Sequence, residues 1–207
     1  MDHYRPSRRG IVFILSGPSG AGKSTIWRAA LKSIEGLEPS ISLTTRTARS
    51  NEIDGVDYHF VTEDEFKRRI QRGELAEWAG VFGSSYGTPR APLDRAVAEG
   101  RDILLDIDVQ GARQLRRQYP ADAVTILAMT PSFEVLEERL RRRGTEEPAA
   151  IARRLERAEE EVAAYSEYDY LLINDEFECS LERLKAIIEA ERWRVARLRE
   201  GFAPWRR

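Results

Sequence analysis

Cysteine occurs once in this chain of 207 residues, at Cys179, so no disulfide can form within it and a reducing compartment is expected. Histidine occurs only at His3 and His59, which are isolated from each other and from ligand-type neighbours, so zinc-type spacing is excluded. No apolar run approaches the length needed to cross a bilayer. The run after the basic segment Met1 to Arg9 is too short for a signal peptide, and it ends in a glycine-rich loop. A cytoplasmic protein without a membrane partner is therefore expected, its first nine residues forming a disordered or loosely docked arm. A surplus of charge is missing as well. The chain has 33 Lys and Arg against 35 Asp and Glu, which argues against nucleic acid held on a broadly basic surface. Repeats, heptads and low-complexity tracts are absent too, and the length suits one domain with a substantial core.

The most informative stretch is Gly17-Pro18-Ser19-Gly20-Ala21-Gly22-Lys23-Ser24. It follows Ile11-Val12-Phe13-Ile14-Leu15, which reads as a buried parallel strand, and leads into a helix over Thr25 to Leu31. Strand, loop and helix in that order are what a phosphate-binding loop requires. Glycines at 17, 20 and 22 let the backbone N–H groups converge on phosphate oxygens, and the helix N-terminus adds partial positive charge there. Lys23 can reach the outer phosphates, and the Ser24 hydroxyl can ligate the accompanying Mg²⁺.

A second signal is Ile103-Leu104-Leu105-Asp106-Ile107-Asp108, an apolar strand ending in an acidic pair. Open α/β sheets bind ligands at that end of their strands, and acids there can serve Mg²⁺ or accept from a substrate N–H. The alternative is a strand-end turn or a cap for a helix over Gly111 to Gln118. Two further clusters are basic. Arg46 and Arg49 lie among hydroxyls in a loop and suit a compact anion, or else are simply exposed. Arg139, Arg141, Arg142, Arg143, Arg153, Arg154 and Arg157 crowd two helix ends that meet at residues 144–148. Arg157 with Glu161 reads as an ordinary i, i+4 pair, but the whole group suits a hairpin that closes over phosphates.

Other elements are expected as follows. Strands are predicted over Ser40 to Leu43, Glu74 to Val81 with Trp78 packed, Val124 to Met129, and Tyr170 to Ile173 as a buried strand. Thr62-Glu63-Asp64-Glu65 reads as a capping box, and Phe82 to Pro89 as a polar, turn-rich loop. A helix from Pro131-Ser132 through Arg143 puts Phe133, Leu136 and Leu140 on one face. A long helix from Pro148 carries the stripe Ile151, Leu155, Ala158, Val162 and Tyr165. Ser180 is predicted to cap the last helix, with Leu184, Ile187, Ile188 and Val195 inward, and Trp205 lies in a tail that docks on the body.

With those motifs in place the chain resembles the guanylate kinases over roughly Arg9 to Glu191. The match rests on separated motifs in the family's order: G-P-S-G-A-G-K-S, S-L-T-T-R-T-A-R, E-I-D-G-V-D-Y, E-W, S-Y-G-T, L-D-I-D-V-Q-G, R-L-R-R-R-G-T-E, R-R-L and Y-D-Y-L-L-I-N-D. The resemblance implies an α/β fold of the P-loop NTPase type, a parallel sheet core flanked by helices. Its domain of residues 9–191 would comprise a core (9–40, 92–133 and 166–191), an inserted GMP-binding subdomain (41–91) and a helical arginine-rich lid (134–165), leaving 192–207 as a helix end and tail. It implies ATP bound by Gly17, Pro18, Ser19, Gly20, Ala21, Gly22, Lys23, Ser24 and Thr25. The GMP phosphate would be held by Arg46, Arg49, Tyr58 and Tyr86, with Glu52 in the same set, and the guanine base by Ser42, Glu77, Thr88 and Asp108. Asp106 would serve both the acceptor site and, with Ser24, the Mg²⁺ shell, while Arg139, Arg143 and Arg154 would join Lys23 at the transferring group.

The implied reaction is ATP + GMP giving ADP + GDP by direct in-line displacement, with dGMP a second candidate acceptor. Guanine offers N1–H and N2–H donors that one carboxylate can accept together, and adenine offers no such pair. Two departures from the family pattern stand out: Ser85 where a tyrosine is frequent, and Ala48 where proline is common. Rival readings are a catalytically silent protein-binding module and a kinase for a sugar bisphosphate. The intact phosphate loop and lid arginines weigh against the first, and the complete base-recognition set against the second.

Overall fold

The computed structural model describes residues 7–50, 52–81, 83–142 and 148–198. The uncharged run after Gly10 forms the central strand β1 (Val12–Ser16), buried along its whole length because helices cover both of its faces. Residues alternate between those faces. Phe13 and Leu15 pack with Ile26 and Ala30 of α1 (Lys23–Ser33), while Val12 and Ile14 face the other core. Strand β2 (Leu37–Pro39) lies at one edge of this sheet. A sharp departure follows, in which β3 (Leu43–Thr44), β4 (His59–Phe60), α2 (Glu63–Gln71), β5 (Leu75–Val81) and β6 (Ser84–Pro89) build a second sheet of order β4-β3-β6-β5.

The chain then returns to the first sheet. Helix α3 (Arg90–Glu99) leads to β7 (Asp102–Asp106), α4 (Val109–Gln118) to β8 (Ala123–Met129), and α5 (Phe133–Arg142) with α6 (Pro148–Ala163) to β9 (Tyr170–Ile173) and α7 (Phe177–Arg192). The first sheet has the order β2-β7-β1-β8-β9, and every pairing is parallel. Helices α1 and α7 cover one face and α3 and α4 the other. Leu136 and Leu140 of α5 pack against Ile151 and Ala158 of α6, so these two helices share a small core of their own.

Several expectations need correcting. The segment read as a turn-rich loop is strand β6 from Ser84, because full antiparallel pairing with β5 outweighs its polar, glycine-containing composition. Of the early strand expected over Ser40 to Leu43, only Leu43 is in a strand, opening β3, while Ser40 to Ser42 connect β2 to it. Trp78 is about half exposed, since it alternates with the inward Glu77. Strand β9 is an edge strand whose Leu171 faces solvent, Phe133 is partly exposed, and Tyr165 and Val195 lie outside the core. Ser180 sits inside α7, its hydroxyl donating to the Glu176 carbonyl, and is not its cap. Thr62 does cap α2 by accepting from the Glu65 amide, but the Glu65 carboxylate pairs with Arg68 and Arg69 and does not complete a capping box.

The expectation of a loose N-terminal arm fails at its last two residues. Asp102, wholly buried at the start of β7, accepts from Arg8 (2.6 and 2.7 Å), from Arg192 of α7 (2.8 Å) and from the Ile11 amide (3.0 Å). Arg9 is held by Asp122 in the same way. Residues 1–6 and Trp205 lie outside the described residues. Asp102→Ala strands two guanidinium groups and one amide, and is expected to lower stability by about 2 kcal/mol. A lower urea midpoint with unchanged turnover is the expected result, because this anchor stands at the opposite end of the sheet from the strand ends described next.

Candidate active site

In a parallel sheet all C-terminal strand ends lie on one side, so the residues that follow β1, β7, β8 and β9 are brought together. After β1 comes the loop from Gly17 to Gly22. Gly17 (φ 131°) has no room for a side chain, since a Cβ would stand 2.1 Å from the Ala128 carbonyl oxygen of β8. At Gly22 a Cβ would stand 2.2 Å from Asn174 Nδ2, which donates to the Ala21 carbonyl over 2.6 Å. Asn174, directly after β9, thus clamps the loop from its other end, a role that its place in the motif Y-D-Y-L-L-I-N-D does not reveal. Lys23 opens α1, and its Nζ donates to the carbonyls of Gly17 (2.6 Å) and Pro18 (3.1 Å), folding the amine across the loop.

Strand β7 runs beside β1 with Leu15 opposite Asp106, which sets Asp106 against the start of α1. Ser24 Oγ donates to Asp106 Oδ2 over 2.8 Å, so a hydroxyl and a carboxylate stand together beside the loop. Asp108 has three attachments, one of them from Gln110 Nε2 to Oδ2 at 3.2 Å. Its Oδ1 accepts from the Gly111 amide (2.9 Å) as the N-cap of α4, and its Oδ2 accepts from Arg157 of α6 (2.8 Å). The helix-cap alternative therefore holds for this acid, and the same residue also lines the cleft.

The second sheet supplies the opposite wall. Helix α4 runs along the edge of β5, where Gln114 bonds the backbone N–H and carbonyl of Trp78. That docking turns the neighbouring Glu77 inward, where it is almost wholly buried. Thr88 Oγ1 donates to its Oε1 over 2.6 Å. Gly111 is required here, because a Cβ would stand 2.5 Å from Glu77 Oε2. Burial raises the Glu77 carboxyl to about 7, helped by the negative charge of Asp108 and opposed by the Thr88 hydrogen bond.

Tyr58 and Tyr86 meet edge to face with ring centroids 5.9 Å apart, and burial lifts the Tyr58 phenol to about 12, so it stays a neutral donor. Arg46 lies beside them. It donates to Tyr86 Oη (3.3 Å) and to Glu52 Oε1 (2.8 Å), and its guanidinium carbon stands 5.6 Å from the Tyr58 ring centre. Glu52 spends its other oxygen on the Arg49 amide, so it acts by holding the arginine loop in shape. The pairing with Arg46 keeps the Glu52 carboxyl below its ordinary value. The Arg49 side chain is mostly exposed.

Of the clustered arginines among the described residues, the structure brings three to this place. Arg139 donates to the Asn174 carbonyl (3.0 Å), Arg154 to Ser19 Oγ of the phosphate loop (2.6 Å), and Arg157 to Asp108. Arg141 turns outward to Glu137, Arg142 and Arg153 are exposed, and Arg143 lies outside the described residues. The resulting cleft of about 290 Å³ is lined by the phosphate loop, Ser24, Thr25, Ser42, Tyr58, Glu77, Tyr86, Asp106, Asp108, Arg154 and Arg157, together with Glu161. Glu161 is not apparent as a cleft residue from sequence, because one turn of helix already accounts for its spacing from Arg157.

Known proteins match the chain over most of its length. The family model described as Guanylate kinase matches residues 9–191. A guanylate kinase of Maricaulis maris is 46% identical over 202 residues, covering 98% of this chain and 90% of that protein. One from Sphingopyxis alaskensis is 48% identical over 191 residues, covering 92% and 87%. The crystal structure of guanylate kinase from Anaplasma phagocytophilum superposes with a TM-score of 0.79 at 35% identity, over 93% of this chain and 91% of that one.

Proposed function

The chain belongs to the guanylate kinase family and is an ATP:GMP phosphotransferase, and from that premise we propose how its own residues divide the work. The carrying observation is the buried Glu77 carboxylate, held by Thr88 in the cleft that also contains the phosphate loop. A carboxylate so placed accepts from guanine N1–H and N2–H together, Ser42 donates to O6, and Asp108 accepts from the 2-amino group. Adenine would leave Glu77 unpaired, at a cost large enough to reject it. Tyr58, Tyr86, Arg46 and Arg49 bind the GMP phosphate, with Glu52 holding the two arginines.

ATP enters with its phosphates over residues 17–25. The loop amides and Lys23 bind the β- and γ-phosphates. Residues 41–91 form the acceptor subdomain and residues 134–165 a lid that brings Arg139, Arg143 and Arg154 to the γ-phosphoryl group. An oxygen of the GMP phosphate attacks the γ-phosphorus in line, a new P–O bond forms, and the bond from γ-phosphorus to the β–γ bridging oxygen breaks, releasing ADP. The acceptor phosphate is already anionic at neutral pH, so no covalent enzyme intermediate is needed. Positioning and charge neutralisation supply the catalysis.

Mg²⁺ fits the donor set beside the loop. Ser24 and Asp106 offer hard oxygens at one point, and among the described residues no group of three or more His, Cys, Asp and Glu could hold an ion. That suits a metal which takes one or two protein oxygens and completes its shell with phosphate and water. Ser24 and Asp106 would hold it, where it would neutralise charge on the β- and γ-phosphates.

The test is ADP production from Mg-ATP with GMP, dGMP, AMP, CMP, UMP, dTMP or a ribose bisphosphate as acceptor. Strong preference for GMP is expected. Turnover with the sugar alone would overturn the base-site assignment, and no turnover with any acceptor would favour a protein-binding role. Arg46→Ala is expected to raise the KM for GMP by roughly tenfold, one charge-assisted contact, while that for ATP stays near wild type. A rise in the ATP requirement alone would show that this loop serves the donor.

A further inference from the structure

Arg157 ties helix α6 to the base-recognition residues through an oxygen that guanine also needs. Its Nη2 donates to Asp108 Oδ2 over 2.8 Å and its Nε to Glu161 Oε1 over 3.1 Å. The Oδ2 oxygen of Asp108 already accepts from two donors, so a third must displace one of them. Its Oδ1 is committed to the Gly111 amide, and Gln110 Nε2 also approaches Oδ2, at 3.2 Å. Glu161 has the opposite surplus: its Oε2 is buried and has no hydrogen-bond partner among the described residues. A guanidinium carries five N–H donors in a planar fork, so Arg157 has two arrangements within reach. In one it is shared between Asp108 and Glu161, as observed. In the other it turns wholly onto Glu161, where it engages both oxygens and releases Asp108.

We propose that Arg157 is a positioning residue that couples base recognition to helix α6: the guanine 2-amino group takes Asp108 Oδ2, and Arg157 moves into a two-oxygen pair with Glu161. This rests on the guanine-site reading above. The coupling reaches the reacting phosphates because Arg154, which donates to Ser19 of the phosphate loop, lies one turn away on the same helix. A purine without the 2-amino group cannot drive the exchange. Hypoxanthine keeps N1–H and O6 for Glu77 and Ser42, but it leaves Arg157 on Asp108. The arrangement thus makes the amino group count twice, once as a contact and once as the trigger for repositioning α6.

The test compares GMP and IMP binding, by calorimetric titration of the full chain without ATP, in the wild type, Arg157→Gln, Glu161→Gln and the double variant. In Arg157→Gln the competitor for Asp108 is gone, so GMP binding is expected to tighten about tenfold, roughly one charge-assisted hydrogen bond. IMP binding should stay within about twofold, and kcat with GMP should fall by about tenfold because the GMP complex then lacks the Arg157–Glu161 pair that sets the position of α6. Glu161→Gln removes the second accepting oxygen, so GMP binding weakens while IMP binding does not. In the double variant GMP affinity matches Arg157→Gln alone, the non-additivity expected of one exchange. Should Arg157→Gln fold poorly, Arg157→Lys keeps the charge without the fork and should shift the GMP-to-IMP preference the same way by about threefold. Equal changes for GMP and IMP, or additive effects in the double variant, would overturn the proposal and leave Arg157 a structural tie. A wild type that binds GMP and IMP equally would instead overturn the guanine-site reading itself.

Discussion

Lys23→Ala lowers kcat by about a hundredfold or more, equivalent to about 3 kcal/mol of transition-state stabilisation, with GMP affinity close to wild type. The expectation follows from where the ammonium group stands. It is anchored to the carbonyls of Gly17 and Pro18, which uses two of its three donors and leaves the third for a phosphate oxygen. An ammonium held in this way needs little reorganisation as charge develops on the oxygens of the transferring group. Single-turnover measurement at saturating ATP and GMP isolates the step, since product release cannot mask it. Turnover near wild type in this variant would remove the phosphate loop from the mechanism.

The second large effect belongs to Glu77. Glu77→Gln presents an amide N–H₂ to a base edge that itself donates, so kcat/KM for GMP is expected to fall by about a thousandfold. The same residue gives a pH signature. With its carboxyl raised to about 7, Glu77 is part-protonated in neutral solution, and the form that accepts from guanine gains as pH rises. GMP affinity should therefore increase from pH 6 to 8, a dependence that Glu77→Gln lacks.

The stability linkage runs the other way. A carboxyl whose folded value lies above its ordinary 4.5 favours the folded chain at low pH, and this contribution disappears as pH rises through 7. Relative to Glu77→Gln, wild type should lose on the order of 3 kcal/mol between about pH 4.5 and pH 7.5. Chemical denaturation of both proteins across that window measures it, and parallel curves would show that burial leaves the carboxyl unperturbed.

How much of this was legible in the sequence depended on whether the cause was local. The glycine-rich loop is contiguous, so its place between β1 and α1 is legible from composition and order alone. The end of β7 was readable for a similar reason, because two acids directly after an unbroken apolar strand must sit where the buried sheet opens to solvent and ligand. Strand β6 was not, since its pairing with β5 is set by register with another segment and overrides a composition that favours turns. Trp78 misled because an aromatic side chain suggests burial, whereas the β5 alternation assigns the inward place to Glu77. Val195 was placed inward by continuing a helical period beyond Arg192, where α7 stops. The partnership of Arg157 with Asp108 was invisible for a different reason: the local partner Glu161 already accounted for the arginine, and Asp108 lies 49 residues away.

The tight seat of Glu77 has an evolutionary consequence. Thr88 donates to one carboxylate oxygen, and Gly111 leaves no space for even a methyl group beside the other. With guanine seated on Glu77 as proposed, exchanging Glu77 alone would deprive Thr88 of its acceptor and guanine of its partner while offering adenine nothing. A new side chain at Gly111 would collide before it could compensate. On that reading, a drift from guanine to adenine would pass through intermediates that bind neither base well. Base choice in this pocket would then be isolated by a fitness valley, and a laboratory search for an altered preference should begin from libraries that vary positions 77, 88 and 111 together.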